Sequence, residues 1–310
     1  MKRTITAPKF ESPTRLDKFL VAELGTSWSR SAIQRAIEHG DVTVNGKHAP
    51  VHHFLKPGDT ISLTLTDEAP EHPKLIPNAN VTFGIIHETP DYIIINKPAG
   101  LVVHPAPGVH EPTLVDGLVI KFPELSQIGE DPIRPGIVHR LDREVSGLMV
   151  IARTAQTFSH LKNAFALRQV DKRYTALVIG KLPKLEGTIN FPLSRGHGRR
   201  GRMAALPETT SNSREAITHF TVRQQFQQVA LLDVMIETGR THQIRAHLAA
   251  LGYPIVGDHL YRPKALAFKA SPGRIFLHSS SLSFVDLGGK IQKFECPLPT
   301  ELASFLKTLR

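Results

Sequence analysis

The chain has 310 residues, 41% hydrophobic and 21% charged, enough for one or two globular domains and incompatible with a largely disordered polypeptide. Its 38 Lys and Arg exceed its 28 Asp and Glu, and the resulting charge of +10 favours a polyanionic partner. No apolar run approaches the ~18 residues of a membrane span, MKRTITAPKF lacks a signal-peptide core, and the single Cys296 excludes an internal disulfide framework, so a soluble cytoplasmic protein is expected.

Leu16, Phe19, Leu20 and Leu24 recur at helical spacing, and Gly25 supplies a stop. A second helix is expected from Ser29, burying Ala32, Ile33, Ala36 and Ile37 and ending at Gly40. Val42 and Val44 then alternate with Thr43, Asn45-Gly46 supplies a tight turn, and Ile61, Leu63 and Leu65 alternate after Pro57-Gly58-Asp59. Residues 14–66 therefore read as a compact unit of two helices and short strands. Within it, RLDKFL, SRSAIQRAIEHGDVTVNGK and LKPGD resemble the S4 type of RNA-binding module. That resemblance implies RNA contact by Ser29, Arg30, Ser31, Arg35 and Lys47. Without it, two arginines on a surface helix read as a solvated face.

Residues 67–80, DEAPEHPKLIPNAN, are rich in proline and charge without periodicity and read as a linker. From 81 to 310 a larger region follows. Ile85-Ile86 and 92–95 flank a Thr89-Pro90-Asp91 turn as a hairpin, and 148–152 and 174–179 have strand character. Helical patterns fall at 158–167 and 241–251. Strands outnumber helices and short turns can join neighbours. The expected fold is α+β, a largely antiparallel mixed sheet preceded by the small α/β module.

Three segments of the large region carry chemistry. In HRLDREVSG, Asp142 lies in a polar loop before an apolar strand, a place where an isolated Asp usually serves a turn. In ETGRTHQIRAHL, Ile244, Leu248 and Leu251 mark a buried helix face, with Thr241 as N-cap and Gly252 as stop. Arg240 and Arg245 then crowd the positive end of the helix dipole, which calls for a carboxylate or phosphate opposite them. In DKRYTALV, Tyr174 suits either a core position or stacking on a base. Residues 194–203, SRGHGRRGRM, hold Arg195, Arg199, Arg200 and Arg202 without an acid and read as a basic loop for RNA. Sixteen histidines occur without H-E-x-x-H or C-x-x-C spacing, so no metal site is expected.

Taken in order, NKPAGLVVHP, HRLDREVSG, KRYTALV and ETGRTHQIRAHL resemble the pseudouridine synthases of ribosomal and transfer RNA. More narrowly, they look like the large-subunit ribosomal RNA pseudouridine synthase D type, which also carries an N-terminal S4 module. The resemblance implies that uridine becomes 5-ribosyluracil without an external cofactor: C1′–N1 breaks, the uracil turns, and C5 bonds to C1′. It implies Asp142 as the catalytic carboxylate, Tyr174 packed on the target base, Arg245 as the carboxylate's ion-pair partner, and Arg140 filling the space of the flipped nucleotide. Arg240 is expected nearer the mouth, on RNA or backbone. Whether the carboxylate attacks the sugar or removes a sugar proton stays open. The expected partner is large-subunit ribosomal RNA or its precursor, with no membrane and no obligate protein partner. The alternatives are the same reaction on transfer RNA, or a non-catalytic RNA-binding or ribosome-assembly protein. The joint presence of Asp142, Tyr174 and Arg245 argues against the last, and missing zinc-ligand spacing argues against a deaminase.

Overall fold

The computed structural model describes residues 2–10, 12–25, 28, 30–64, 74–106, 108–196, 202–210, 212–263, 268 and 270–309. The chain divides into two units, residues 1–74 and 75–310.

In the first unit, helices α1 (Leu16–Leu24) and α2 (Arg30–His39) accompany four strands, β1 (Lys2–Thr6), β2 (Val42–Val44), β3 (Lys47–His48) and β4 (Thr60–Thr64). The sheet order is β1-β4-β2-β3, antiparallel throughout. The helical stripes expected from the sequence do meet: Leu16, Phe19, Leu20, Ile33, Ala36 and Ile37 share one core with Val42, Val44, Ile61 and Leu63. Asn45 and Gly46 both take positive φ, at 53° and 74°, as a two-residue hairpin turn requires. Asp17 is fully buried, gripped by the Arg15 fork at 2.9 and 2.8 Å and by Gln34 at 2.8 Å, which pins α1 to α2. The strand β1 lies before residue 14 and was not anticipated from the sequence. Its five residues are too few to show a period, yet they pair with β4 from Lys2 to Thr6.

The second unit is built on one sheet of β5 (Gly84–Glu88), β6 (Tyr92–Lys97), β7 (Ser146–Ala152), β8 (Asp171–Ile179), β9 (Glu186–Ile189), β12 (Thr218–Gln225), β13 (Val229–Ile236), β14 (Leu277–Val285) and β15 (Ile291–Glu295). A separate hairpin pairs β10 (Leu193–Arg195) with β11 (Met203–Ala205), and the helices are α3 (Leu114–Lys121), α4 (Ala155–Ala166), α5 (Gln243–Ala250) and α6 (Thr300–Lys307). The order is β5-β6-β7-β14-β8-β13-β12-β9, with β15 on β14; among the described residues only β7 and β14 run parallel.

Both faces of this sheet are covered near β6 and β7. Ile93, Ile95, Met149 and Ile151 face Leu114, Val115 and Leu118 of α3, while Tyr92, Ile94, Leu148 and Val150 pack with Leu161 and Ala164 of α4. That is why these strands read as unbroken apolar runs. The segment 75–80, read as linker from its composition, is bonded to α3 in part: Ile76 N–H donates to Asp116 Oδ1 at 2.8 Å and Asn78 N–H to the Asp116 carbonyl at 3.0 Å. No helix among the described residues is long and apolar enough to cross a membrane.

Strand register sets up the site. Lys97 pairs with Gly147, Gly147 with Ser279, Ser279 with Tyr174, and Tyr174 with Val234. The end of the Asp142 loop and Tyr174 thus share one row, two strand spacings or about 10 Å apart. The row can form only because residue 147 is glycine. At φ +116° a Cβ there would lie 2.2 Å from the Ser279 carbonyl oxygen.

Candidate active site

Asp142 stands between two buried apolar anchors, Leu141 and Val145, so the loop is fixed on both sides while the carboxylate stays accessible. A turn bond from Val145 N–H to the Asp142 carbonyl, 3.1 Å, and one from Gly100 N–H to the Arg143 carbonyl, 2.7 Å, hold its backbone. Lys97 adds to this from below the loop. Its fully buried Nζ donates to the carbonyls of Pro98, Leu101 and Arg143 at 2.8, 2.9 and 3.2 Å. Burial draws its pKa down to about 7, with Arg274 adding repulsion, while the three acceptors match the three N–H bonds of the ammonium.

Arg245 comes from the first turn of α5. Its Nη1 lies 3.3 Å from Asp142 Oδ2 and 3.5 Å from Glu144 Oε2, and its Nε and Nη2 grip Asp258 at 2.7 and 3.0 Å. The crowding of positive charge at this helix start therefore meets three carboxylates. Burial opposes the guanidinium charge, but the Asp258 hydrogen bonds and the fields of Asp258, Asp142 and Glu144 prevail and raise its pKa. The helix itself is held by complete satisfaction of the Gln243 amide. Thr238 Oγ1 and Arg240 N–H donate to its oxygen at 2.7 and 3.1 Å, and its nitrogen donates to Ile217 O and Thr218 Oγ1 at 2.9 and 3.0 Å. The N-cap is His242 and not Thr241 as the sequence suggested, because the chain enters the helix through a left-handed residue, φ 53° and ψ 22°.

A cleft of about 400 Å³ is lined by Arg140, Asp142, Tyr174, Arg240, His242 and Arg245 among others. Tyr174 is 7% exposed, a core position whose ring also lines the cleft. Burial, and then the charge of Asp142, push its phenol pKa up, so it stays protonated. Arg140 is exposed at the cleft, and Arg240 Nε donates to the Glu215 carbonyl at 3.1 Å. His242 lies with its Nε2 3.8 Å from Asp142 Oδ2. His242 and Arg245 also line a second cavity of about 1090 Å³, with Lys97, Glu144 and Asp258.

Arg195 ends β10 and Arg202 precedes β11, both exposed, and Lys47 opens β3 in the first unit, also exposed. Ser29, Arg199 and Arg200 lie outside the described residues, as do the side chains of Arg30, Ser31 and Arg35. Sequence reasoning passed over Lys97, Glu144, His242, Asp258 and Tyr261. Glu144 sits two residues from Asp142, and Asp258 follows an apolar run and a glycine, YPIVG, a setting that leaves a carboxylate needing a cation.

The family model described as RNA pseudouridylate synthase matches residues 91–250, which include Asp142, Tyr174 and Arg245, and the S4 domain model matches residues 14–61. An uncharacterized RNA pseudouridine synthase of Chloroflexus aurantiacus is 41% identical over 310 residues, covering 100% of this chain and 94% of that protein. Ribosomal large subunit pseudouridine synthase D of Xanthomonas campestris pv. campestris is 35% identical over 321 residues, covering 99% of this chain and 92% of that protein. The solved structure of Human RNA Pseudouridylate Synthase Domain Containing 4 matches with a TM-score of 0.59 at 26% identity, over 73% of this chain and 94% of that one. With a family model over more than half its length and full-length relatives of the same description, the chain belongs to the RNA pseudouridylate synthase family, isomerases that act on RNA.

Proposed function

We propose that this protein isomerises specific uridines in large-subunit ribosomal RNA, with Asp142 as its catalytic carboxylate. The observation that carries the reading is the ion pair of Asp142 with Arg245, 3.3 Å apart beside the protonated phenol of Tyr174 in one cleft. A cation at that distance pairs with the carboxylate and fixes its orientation in the cleft, where a nucleophile or base is needed. Tyr174 packs against the target base. Arg140 takes the place of the nucleotide as it leaves the stack, lowering a flipping cost of a few kcal/mol.

The choice of ribosomal RNA rests on the Xanthomonas relative, whose name gives that substrate and which spans nearly the whole chain, and on the charge of +10. Arg240 at the cleft and Arg195, Arg199, Arg200 and Arg202 of the basic segment serve phosphate, as do Arg30, Arg35 and Lys47 in the S4 module, residues 14–66. The catalytic domain spans 81–310. The free, buried Cys296 suits the cytoplasm, where such RNA is made.

Mapping pseudouridines in total RNA from cells with and without this protein tests the substrate. Sites lost only from large-subunit ribosomal RNA support the reading. Sites lost only from transfer RNA, with ribosomal RNA unchanged, would replace it.

A further inference from the structure

Tyr261 takes no part in the chemistry described so far, yet it touches both partners of Asp142. Its ring is 3% exposed and lies between two guanidinium groups, with Arg245 Cζ 5.3 Å and Arg202 Cζ 5.2 Å from its centroid. The Met203 N–H donates to its hydroxyl oxygen at 2.7 Å, and the same oxygen lies 3.2 Å from His242 Nδ1. The two rings meet edge-on, centroids 5.7 Å apart at 89°.

We propose that Tyr261 is a positioning residue that aims His242 at the Asp142 carboxylate and ties that aim to the basic hairpin of β10 and β11. With Met203 supplying a hydrogen bond to the phenol oxygen, the phenol hydrogen is free for His242 Nδ1. An imidazole that accepts at Nδ1 carries its own proton on Nε2, and Nε2 is the atom facing Asp142 Oδ2 at 3.8 Å. Burial of His242 favours this neutral form. Asp142 is then faced by two donors, Arg245 Nη1 and His242 Nε2–H, and Tyr261 contacts both donor side chains. His242 holds a left-handed backbone at φ 53°, a strained conformation for a non-glycine residue that persists only where its surroundings fix it. The hydroxyl is in turn fixed by β11, where Met203 follows Arg202 and pairs with Arg195. Arg202, assigned above to RNA, and the orientation of the carboxylate therefore share one phenol.

The inference rests on Asp142 being the catalytic carboxylate, so wild type and Asp142→Asn are run beside the test variants. Tritium release from RNA labelled at uridine C5 is measured for Tyr261→Phe, His242→Gln and the double variant. Tyr261→Phe is expected to lower kcat about tenfold, the order of one lost hydrogen bond, with KM for RNA within twofold. In the His242→Gln background it should cost nothing further, because its effect passes through His242. The ¹⁵N spectrum of the His242 ring should show Nε2–H in wild type and a mixture of tautomers in Tyr261→Phe. Unchanged kcat, a loss confined to KM, an unchanged tautomer, or losses that multiply in the double variant would each overturn the proposal. Release by Asp142→Asn would instead overturn the reading beneath it, whereas a silent Asp142→Asn beside an unimpaired Tyr261→Phe refutes this inference alone.

Discussion

Arg245 and Asp258 form a two-pronged ion pair at 2.7 and 3.0 Å, which leaves the third guanidinium nitrogen, Nη1, turned to Asp142 at 3.3 Å. One arginine thus serves a fully buried carboxylate and a solvent-accessible one. The buried carboxylate fixes the fork, and the fixed fork orients the other carboxylate.

Removing the cation should therefore cost stability and activity by separable routes. Arg245→Met leaves the buried Asp258 without its cation, holding only the Leu260 and Tyr261 N–H bonds, and should destabilise the second unit by about 3–5 kcal/mol in urea unfolding. Arg245→Met combined with Asp258→Leu should recover much of that stability, since an apolar pair can replace a buried ion pair, yet tritium release should stay abolished. Recovery of activity together with stability would show that Arg245 acts only as a structural ion.

Lys97 predicts a different signature, because its partners are carbonyls. Lys97→Met removes the donor to the Pro98 and Leu101 carbonyls and leaves the Arg143 carbonyl with the Gly100 N–H alone, and should cost about 2–4 kcal/mol. Faster hydrogen exchange at the Gly100 amide, which donates to the Arg143 carbonyl, would accompany it. A variant as stable as wild type would mean that the loop does not depend on this ammonium.

Acid should weaken the second unit through two histidines. Burial, helped by Lys172, lowers the His139 pKa to about 3, and burial lowers that of His278 to about 4. Val150 N–H donates to His139 Nε2 at 3.0 Å, and Ser146 Oγ lies 2.8 Å from His278 Nδ1. Both rings are held neutral in the fold but charge near pH 6.5 once unfolded. Their contribution is complete above about 6.5 and is lost as pH falls toward 4 and then 3. The thermal midpoint should drop steadily from pH 6.5 to 4.5, and His139→Gln, which keeps an acceptor for Val150, should flatten the slope. A midpoint independent of pH across that window contradicts the assignment.

Residues 75–310 have their own core and should fold without the first unit. That fragment should bind ribosomal RNA more weakly, with a salt slope shallower by roughly 0.7–0.9 for each phosphate that the S4 module neutralises in the full chain. An unchanged affinity and slope would remove the S4 module from RNA binding.

Much of this was legible because it is local. Helical stripes, the Asn45-Gly46 turn and the apolar runs of β6 and β7 follow from neighbouring residues, and two arginines at one helix start called for anions. What stayed hidden depends on register and distance along the chain. Asp258 finds Arg245 across the end of α5, and Lys97 meets the Arg143 carbonyl only through the pairing of β6 with β7. The His242 cap was missed because left-handed entry leaves no composition signal, and β1 because five residues show no period.

The central claim is that the Asp142 carboxylate performs the isomerisation. Asp142→Asn keeps the side chain's size and removes its charge. In a tritium-release assay on RNA labelled at uridine C5, this variant should release nothing above background, while its RNA Kd stays within about threefold of wild type, a difference below 1 kcal/mol. Sustained tritium release by the folded, RNA-binding Asp142→Asn protein would contradict the account.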